Sequence, residues 1–191
     1  MNKGGYGKRI AELNNMEYHT RASSGATIVV EDDSENNIVK QVDEAIASGV
    51  VPDYVIFNGY TNDITSQRTT PIGTLSDGYE APFDTSTFTG AFEYICHKLQ
   101  TTWNGVRILY IRPHKMPSRV LSKQIEYGNR ALEVCKKWSI PVINMFDEGI
   151  MNTYISTHDG YYTNTGDPTH PNANGYKYGY TPIIESKLKE L

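Results

Sequence analysis

Asp167-Pro168-Thr169-His170-Pro171-Asn172, with Gly175-Tyr176 just beyond, is the stretch on which the reading of this chain turns. Its two prolines and the nearby glycine exclude a regular helix and mark a loop. An acid and an imidazole three residues apart can be held together by one short turn. A carboxylate beside an imidazole fixes its tautomer and stabilises the imidazolium once a proton arrives. The stretch therefore reads as the base half of a hydrolase, which also requires a reacting atom and an oxyanion site from elsewhere in the chain.

Working outward, the residues just before this loop spell a strand, Ile140 to Phe146, followed by a long loop from Asp147 to Asn172. Beyond it a C-terminal helix offers Ile183, Ile184, Leu188 and Leu191 as apolar contacts. Upstream, helical spacing appears at Tyr6, Ile10 and Leu13, and again at Ile38, Val42, Ala45 and Ile46. It recurs at Phe88, Phe92, Ile95, Leu99 and Trp103, and at Leu121, Ile125, Gly128, Leu132 and Cys135. Strands are expected at 16–21, 53–57 and 106–111. Glu31-Asp32-Asp33-Ser34-Glu35 reads as a solvated, acidic helix start. The Thr-, Gly- and Pro-rich segment 64–86 is long for a compact domain, and serves either as a cleft wall or as a mobile surface excursion.

Strands alternating with helices mean βαβ units, hence an α/β protein with a mainly parallel sheet and helices on both faces. One domain covers residues 1–191. In such folds ligands bind at the carboxyl ends of the strands. The loops at Gly25, Asn62, His114 and Asp167/His170 all follow strands, so the topology brings them to one rim.

Composition narrows the function. A net charge of -4 and the lack of a Lys/Arg run argue against a nucleic-acid partner. No apolar run reaches the ~20 residues needed to span a bilayer. The first residues hold no signal-peptide core, so the location defaults to the cytoplasm. Cys96 and Cys135 fall on apolar helix faces and read as buried thiols, with one disulfide as the alternative. No metal-ligand cluster accompanies them. The 14 tyrosines suit either half-buried packing or a cleft for sugars or peptides.

Three stretches together resemble the SGNH hydrolases, the GDSL-type esterases and lipases. Ser24-Gly25-Ala26-Thr27 is similar to the family's second block, whose Gly gives a backbone N–H to the oxyanion. Gly59-Tyr60-Thr61-Asn62-Asp63 resembles the third block, whose Asn gives a side-chain N–H. Asp167 to Asn172 resembles the fifth, which carries the catalytic Asp and His. The resemblance implies a flavodoxin-like three-layer α/β/α fold with a five-stranded parallel sheet, and ester cleavage without cofactor or metal. It makes His170 the base, Asp167 its partner, and Gly25 and Asn62 the oxyanion donors. Tyr60, inside the third block where the family commonly has a small residue, is expected to contact a small-molecule or carbohydrate ester; His114 either lines the same cleft as a substrate contact or has a surface or packing role.

The first block, Gly-Asp-Ser at the end of the family's first strand, is not found in these residues. The resemblance places that strand inside the sheet, between the strands ending near Arg21 and Asn58. Three explanations follow: an N-terminally truncated sequence, which is favoured; a degenerate, inactive relative; or a partner chain that completes the sheet. The leading function is an acyl esterase domain impaired by lack of its serine. A non-catalytic carbohydrate-binding or assembly module on the same scaffold is the alternative.

Overall fold

A computed structural model describes residues 5–31, 34–80 and 82–191. Its elements run α1 (Gly5–Asn14), α2 (Ile38–Ala47), β1 (Tyr54–Asn58), α3 (Phe88–Thr102), β2 (Arg107–Arg112), α4 (Leu121–Lys137), β3 (Val142–Asn144), β4 (Thr163–Asn164), β5 (Asp167–Pro171), a π-helix (Gly175–Tyr180) and α5 (Thr181–Lys189). β1, β2 and β3 form one sheet in that order, and β4 and β5 a separate pair. β1 pairs with β2 in parallel, from Tyr54 opposite Arg107 to Asn58 opposite Ile111. The α/β class with a parallel sheet is as the alternating periodicities require.

The chain divides into two compact units. One comprises Arg21–Ile111 and Ser122–Val142. Its core gathers Phe57, Phe88, Phe92, Tyr110 and Tyr127. Phe92 and Tyr110 meet edge-on at 4.9 Å, and Phe88 and Tyr127 at 5.0 Å. Such pairs add about 0.5–1.5 kcal/mol each beyond area burial. Asn37 caps α2 by accepting from the Lys40 N–H at 2.8 Å. Thr87 caps α3 by accepting from the Gly90 N–H at 3.2 Å. Both thiols are buried and unbonded to each other.

Among its described residues the segment between β1 and α3 holds no helix or strand, yet it is pinned. Buried Glu93 on α3 accepts from the Ser76 N–H at 2.9 Å, Lys137 Nζ at 2.6 Å and Trp138 Nε1 at 3.3 Å. Arg130 donates to the Gly73 carbonyl at 2.7 Å, and the Tyr127 hydroxyl donates to the Thr70 carbonyl. These bonds hold the segment against α3 and α4, contrary to the expectation of a mobile excursion.

The second unit comprises Met1–Thr20, Arg112–Leu121 and Ile143–Leu191. Ile10 of α1 and Ile184 and Leu188 of α5 are buried, while Leu13 and Leu191 are exposed. Tyr6 stacks on Tyr180 at 5.7 Å. The turn after β2 is locked by fully buried Arg112, which donates to Asp147 at 3.0 Å and lies 4.3 Å over the Phe146 ring. Asn172 ties hairpin to π-helix. Its amide donates to the Thr163 carbonyl at 2.6 Å, and its Oδ1 accepts from the Asn174 and Gly175 N–H groups at 2.9 and 3.1 Å. Gly175 is required there, because a Cβ would lie 2.1 Å from the Tyr162 carbonyl oxygen.

Four expectations are corrected. Residues 16–21 form no strand; Met16 and Tyr18 are exposed, and a strand without a ladder partner gains nothing from extension. The sheet has three strands among the described residues rather than five. The helix start at 31–35 is displaced: α2 begins at Ile38 behind Asn37, and Glu31 pairs instead with Arg68 at 2.8 Å. Asp32 and Asp33 lie outside the described residues. On α4 the buried stripe is Gln124, Tyr127, Gly128, Ala131, Val134 and Cys135, while Leu121 and Ile125 face water. Tyr127 and Gln124 outcompete the aliphatic stripe because they have both packing area and hydrogen-bond partners.

Candidate active site

β5 pairs with β4 irregularly, and that irregularity creates the acid–imidazole pair. Thr163 faces Pro171 and Asn164 faces Asp167, so residues 168–170 bulge out between two adjacent partner positions. In a regular strand Asp167 and His170 would point to opposite faces. The bulge brings them together. His170 Nδ1–H donates to Asp167 Oδ2 at 2.6 Å. With Nδ1 the donor, neutral His170 carries its lone pair on Nε2, on a side chain 66% exposed. Asp167 also accepts from the Thr169 N–H at 3.1 Å. Partial burial raises its carboxyl pKa, but the bonds from His170 and Thr169 outweigh this and hold it below the ordinary value. Ser118 and Thr169 share a hydroxyl–hydroxyl hydrogen bond alongside.

Of the two readings of His114, the structure corrects the substrate contact and fits packing. The residue is 1% exposed, so its side chain is enclosed rather than presented to a ligand. Nδ1 lies 2.9 Å from the Tyr180 hydroxyl, and Nε2 lies 3.4 Å from the Pro168 carbonyl. A carbonyl only accepts, so Nε2 carries the proton and Tyr180 donates to Nδ1. Burial drives the His114 pKa down to about 4, the bond to Pro168 opposes this, and nearby His170 lowers it further. His114 is therefore a neutral imidazole at physiological pH.

The other expected site residues lie in the other unit. Gly25 is exposed and adopts φ +83, a left-handed conformation that favours glycine. No hydrogen bond from its N–H is found among the described residues. Asn62 Nδ2 donates to the Ala26 carbonyl at 2.8 Å, tying the third-block loop to the residue after Gly25. Only one of its two amide protons is used by that bond. Next to it, Asp63 accepts from the Ile28 N–H at 2.9 Å and the Val29 N–H at 3.2 Å. Burial pushes its carboxyl pKa up to about 6 against those two bonds. Asp63 is thus the stitch between the two loops. Tyr60, expected to touch substrate, is fully buried in that unit's core with φ +83. An aromatic residue at positive φ costs about 1–3 kcal/mol, which is why a small residue suits this position.

Sequence reasoning gave no role to Arg112 or Thr153, and read Tyr180 only as one of several tyrosines suited to packing or to a sugar-binding wall. Thr153 Oγ1 lies 2.8 Å from the Lys115 carbonyl and 3.1 Å from that of Pro168. Their signals were weak, since threonine and tyrosine are common in loops and their partners are distant in sequence. Among the described residues no three His, Cys, Asp or Glu side chains gather as a metal would require.

The sequence profile of the GDSL-like lipase/acylhydrolase family matches residues 2–178. The chain belongs to that family. No curated protein sequence matches it. Its fold is similar to a Lactobacillus plantarum protein, at 22% identity and TM-score 0.77, over 100% of this chain and 91% of that one. It is also similar to a carbohydrate acetylesterase from Sinorhizobium meliloti, at 14% identity and TM-score 0.70, over 98% and 86%. An aryl esterase from M. smegmatis matches at 14% identity and TM-score 0.68, over 98% and 85%. At these identities the likeness concerns the fold, while the profile match carries the family. Within the GDSL-like lipase/acylhydrolase family, the blocks recognised in the sequence fall in both units: Gly25 and Asn62 in one, Asp167 and His170 in the other.

Proposed function

We propose that this chain is an acyl esterase domain in which His170 is the general base and Asp167 orients it. The Gly25 N–H and the free Asn62 amide proton serve as oxyanion donors. The nucleophile is a serine at the end of a Gly-Asp-Ser strand that these 191 residues do not contain. The observation that carries this reading is the 2.6 Å bond from His170 Nδ1 to Asp167, which leaves Nε2 basic and accessible. Nε2 takes the serine proton as the oxygen attacks the ester carbonyl. The carbonyl electrons move to oxygen, where the donors of Gly25 and Asn62 hold the charge. Collapse expels the alcohol, which leaves with the proton from His170. Water, deprotonated by His170, then releases the carboxylic acid and regenerates the serine.

A small ester of a carbohydrate is the substrate class favoured, because one fold relative is a carbohydrate acetylesterase. Among the described residues no helix is long and apolar enough to cross a membrane. Without the serine of that Gly-Asp-Ser block the covalent route is closed, and these residues alone have little or no turnover. Supplying an N-terminal strand that ends in Gly-Asp-Ser, by fusion or from a partner chain, confers hydrolysis of p-nitrophenyl acetate. A fused protein that folds and stays inert defeats this reading. A second reading, a non-catalytic carbohydrate-binding or assembly module, is favoured by the absent block alone. Glycan binding with no turnover in the fused protein selects it.

A further inference from the structure

The Pro168 carbonyl sits inside the bulge that joins Asp167 to His170, so whatever holds it governs the shape of the dyad. Two donors approach it: Thr153 Oγ1 at 3.1 Å and His114 Nε2 at 3.4 Å. The Thr153 hydroxyl has one proton, and the Lys115 carbonyl at 2.8 Å lies closer. A single O–H satisfies the nearer acceptor first, which leaves His114 as the donor reserved for Pro168. His114 can play that part only as the Nε2–H tautomer. Tyr180 enforces this: its hydroxyl donates to Nδ1 at 2.9 Å while accepting from the His114 backbone N–H at 3.4 Å. The hydroxyl is thereby oriented in one sense, and the imidazole with it. Tyr180 is in turn the last residue of the π-helix, a rare geometry often found beside functional sites.

From this arrangement we propose that His114 is a positioning residue: a neutral imidazole, set in one tautomer by Tyr180, that anchors the Pro168 carbonyl and so keeps His170 on Asp167. The proposal rests on the reading of that pair as the catalytic base. His114 touches no reacting atom and acts through the bulge alone. The ionisable groups about it are Tyr180 from the π-helix and His170 from β5. A cation at His114 would oppose the charge that His170 must acquire, so burial serves the same end as the hydrogen bonds.

The test uses the 191-residue protein and NMR. It follows the carboxyl titration of Asp167 and the downfield Nδ1 proton of His170. His114→Phe keeps the ring volume and removes both bonds. It raises the Asp167 midpoint toward the ordinary carboxylate value and abolishes the Nδ1 resonance. His114→Gln, whose amide N–H reaches the Pro168 carbonyl, restores both. Tyr180→Phe removes only the hydroxyl and shifts Asp167 in the same direction by less. If His114→Phe does not fold, Tyr180→Phe decides alone. An unchanged Asp167 midpoint in the folded variants, or a Gln variant no better than Phe, overturns the proposal and leaves His114 as core packing. The readout needs no turnover. A dyad that is braced but plays no part in ester cleavage passes here and fails in the activity of His170→Ala.

Discussion

His170→Ala, made in a chain fused to a strand ending in Gly-Asp-Ser, lowers kcat on short acyl esters by about 10⁴–10⁶-fold while KM moves little. The expected size follows from the division of labour. Serine at its ordinary pKa is a poor nucleophile, and only a base within hydrogen-bond reach makes it attack at neutral pH. His170 holds one ring nitrogen against Asp167 at 2.6 Å and leaves the other open. Deleting the imidazole removes base and acid together, so both acylation and deacylation stop. What survives is binding and oxyanion stabilisation, a residue of roughly 10³–10⁴ over water. Asp167→Asn is milder, by about 10⁴ in kcat, because the amide can turn the imidazole to the wrong tautomer without removing it. Steady-state kinetics with p-nitrophenyl acetate separate the two. A His170→Ala protein that keeps most of its kcat removes this residue from the chemistry.

The second large effect concerns stability. Asp63→Ala leaves the buried Ile28 and Val29 N–H groups without their acceptor. An orphaned buried donor costs about 1–3 kcal/mol, so the loss is about 3 kcal/mol or more. Asp63→Asn retains one carbonyl oxygen and loses much less. The carboxyl also carries a pH signature. Its folded pKa is pushed up to about 6, above the ordinary value near 3.9. Between those values the folded state holds a proton that the unfolded chain has released. Stability from Asp63 is therefore greatest on the acid side and falls by about 3 kcal/mol as pH rises through the window. Both substitutions abolish that slope.

His114, in the other unit, works in the opposite sense. Its folded pKa of about 4 lies below the ordinary histidine value, so the unfolded chain takes the proton first and stability drops as pH falls. Global unfolding sums the two and looks flat. Amide exchange at Ile28 and Val29, corrected for intrinsic rates, resolves the Asp63 part. Protection there that does not rise on acidification contradicts the assignment.

Long periodic elements were legible in the sequence. Ile38 to Ile46, Phe88 to Trp103 and the strands at 54–58 and 107–112 repeat at 3.6 or read as buried runs. The hairpin of β4 and β5 was not, because a two-residue strand carries no period. The π-helix over Gly175–Tyr180 fits neither template, and its glycines read only as loop residues. The face of α4 was misjudged because Tyr127 and Gln124 are polar by type but buried by partner. His114 shows the same limit: its burial depends on Tyr180, 66 residues away, which no local pattern reveals. The Asp167/His170 pair was visible as spacing, whereas the bulge that unites its side chains belongs to the register.

The most direct test is intact-protein mass spectrometry after treatment with a fluorophosphonate, which labels only a serine activated by a base. In the strand-fused protein one adduct forms, on the serine of the added block, and His170→Ala abolishes it. An adduct of equal yield without His170, or one on a residue outside that block, contradicts the assignment of His170 as the base.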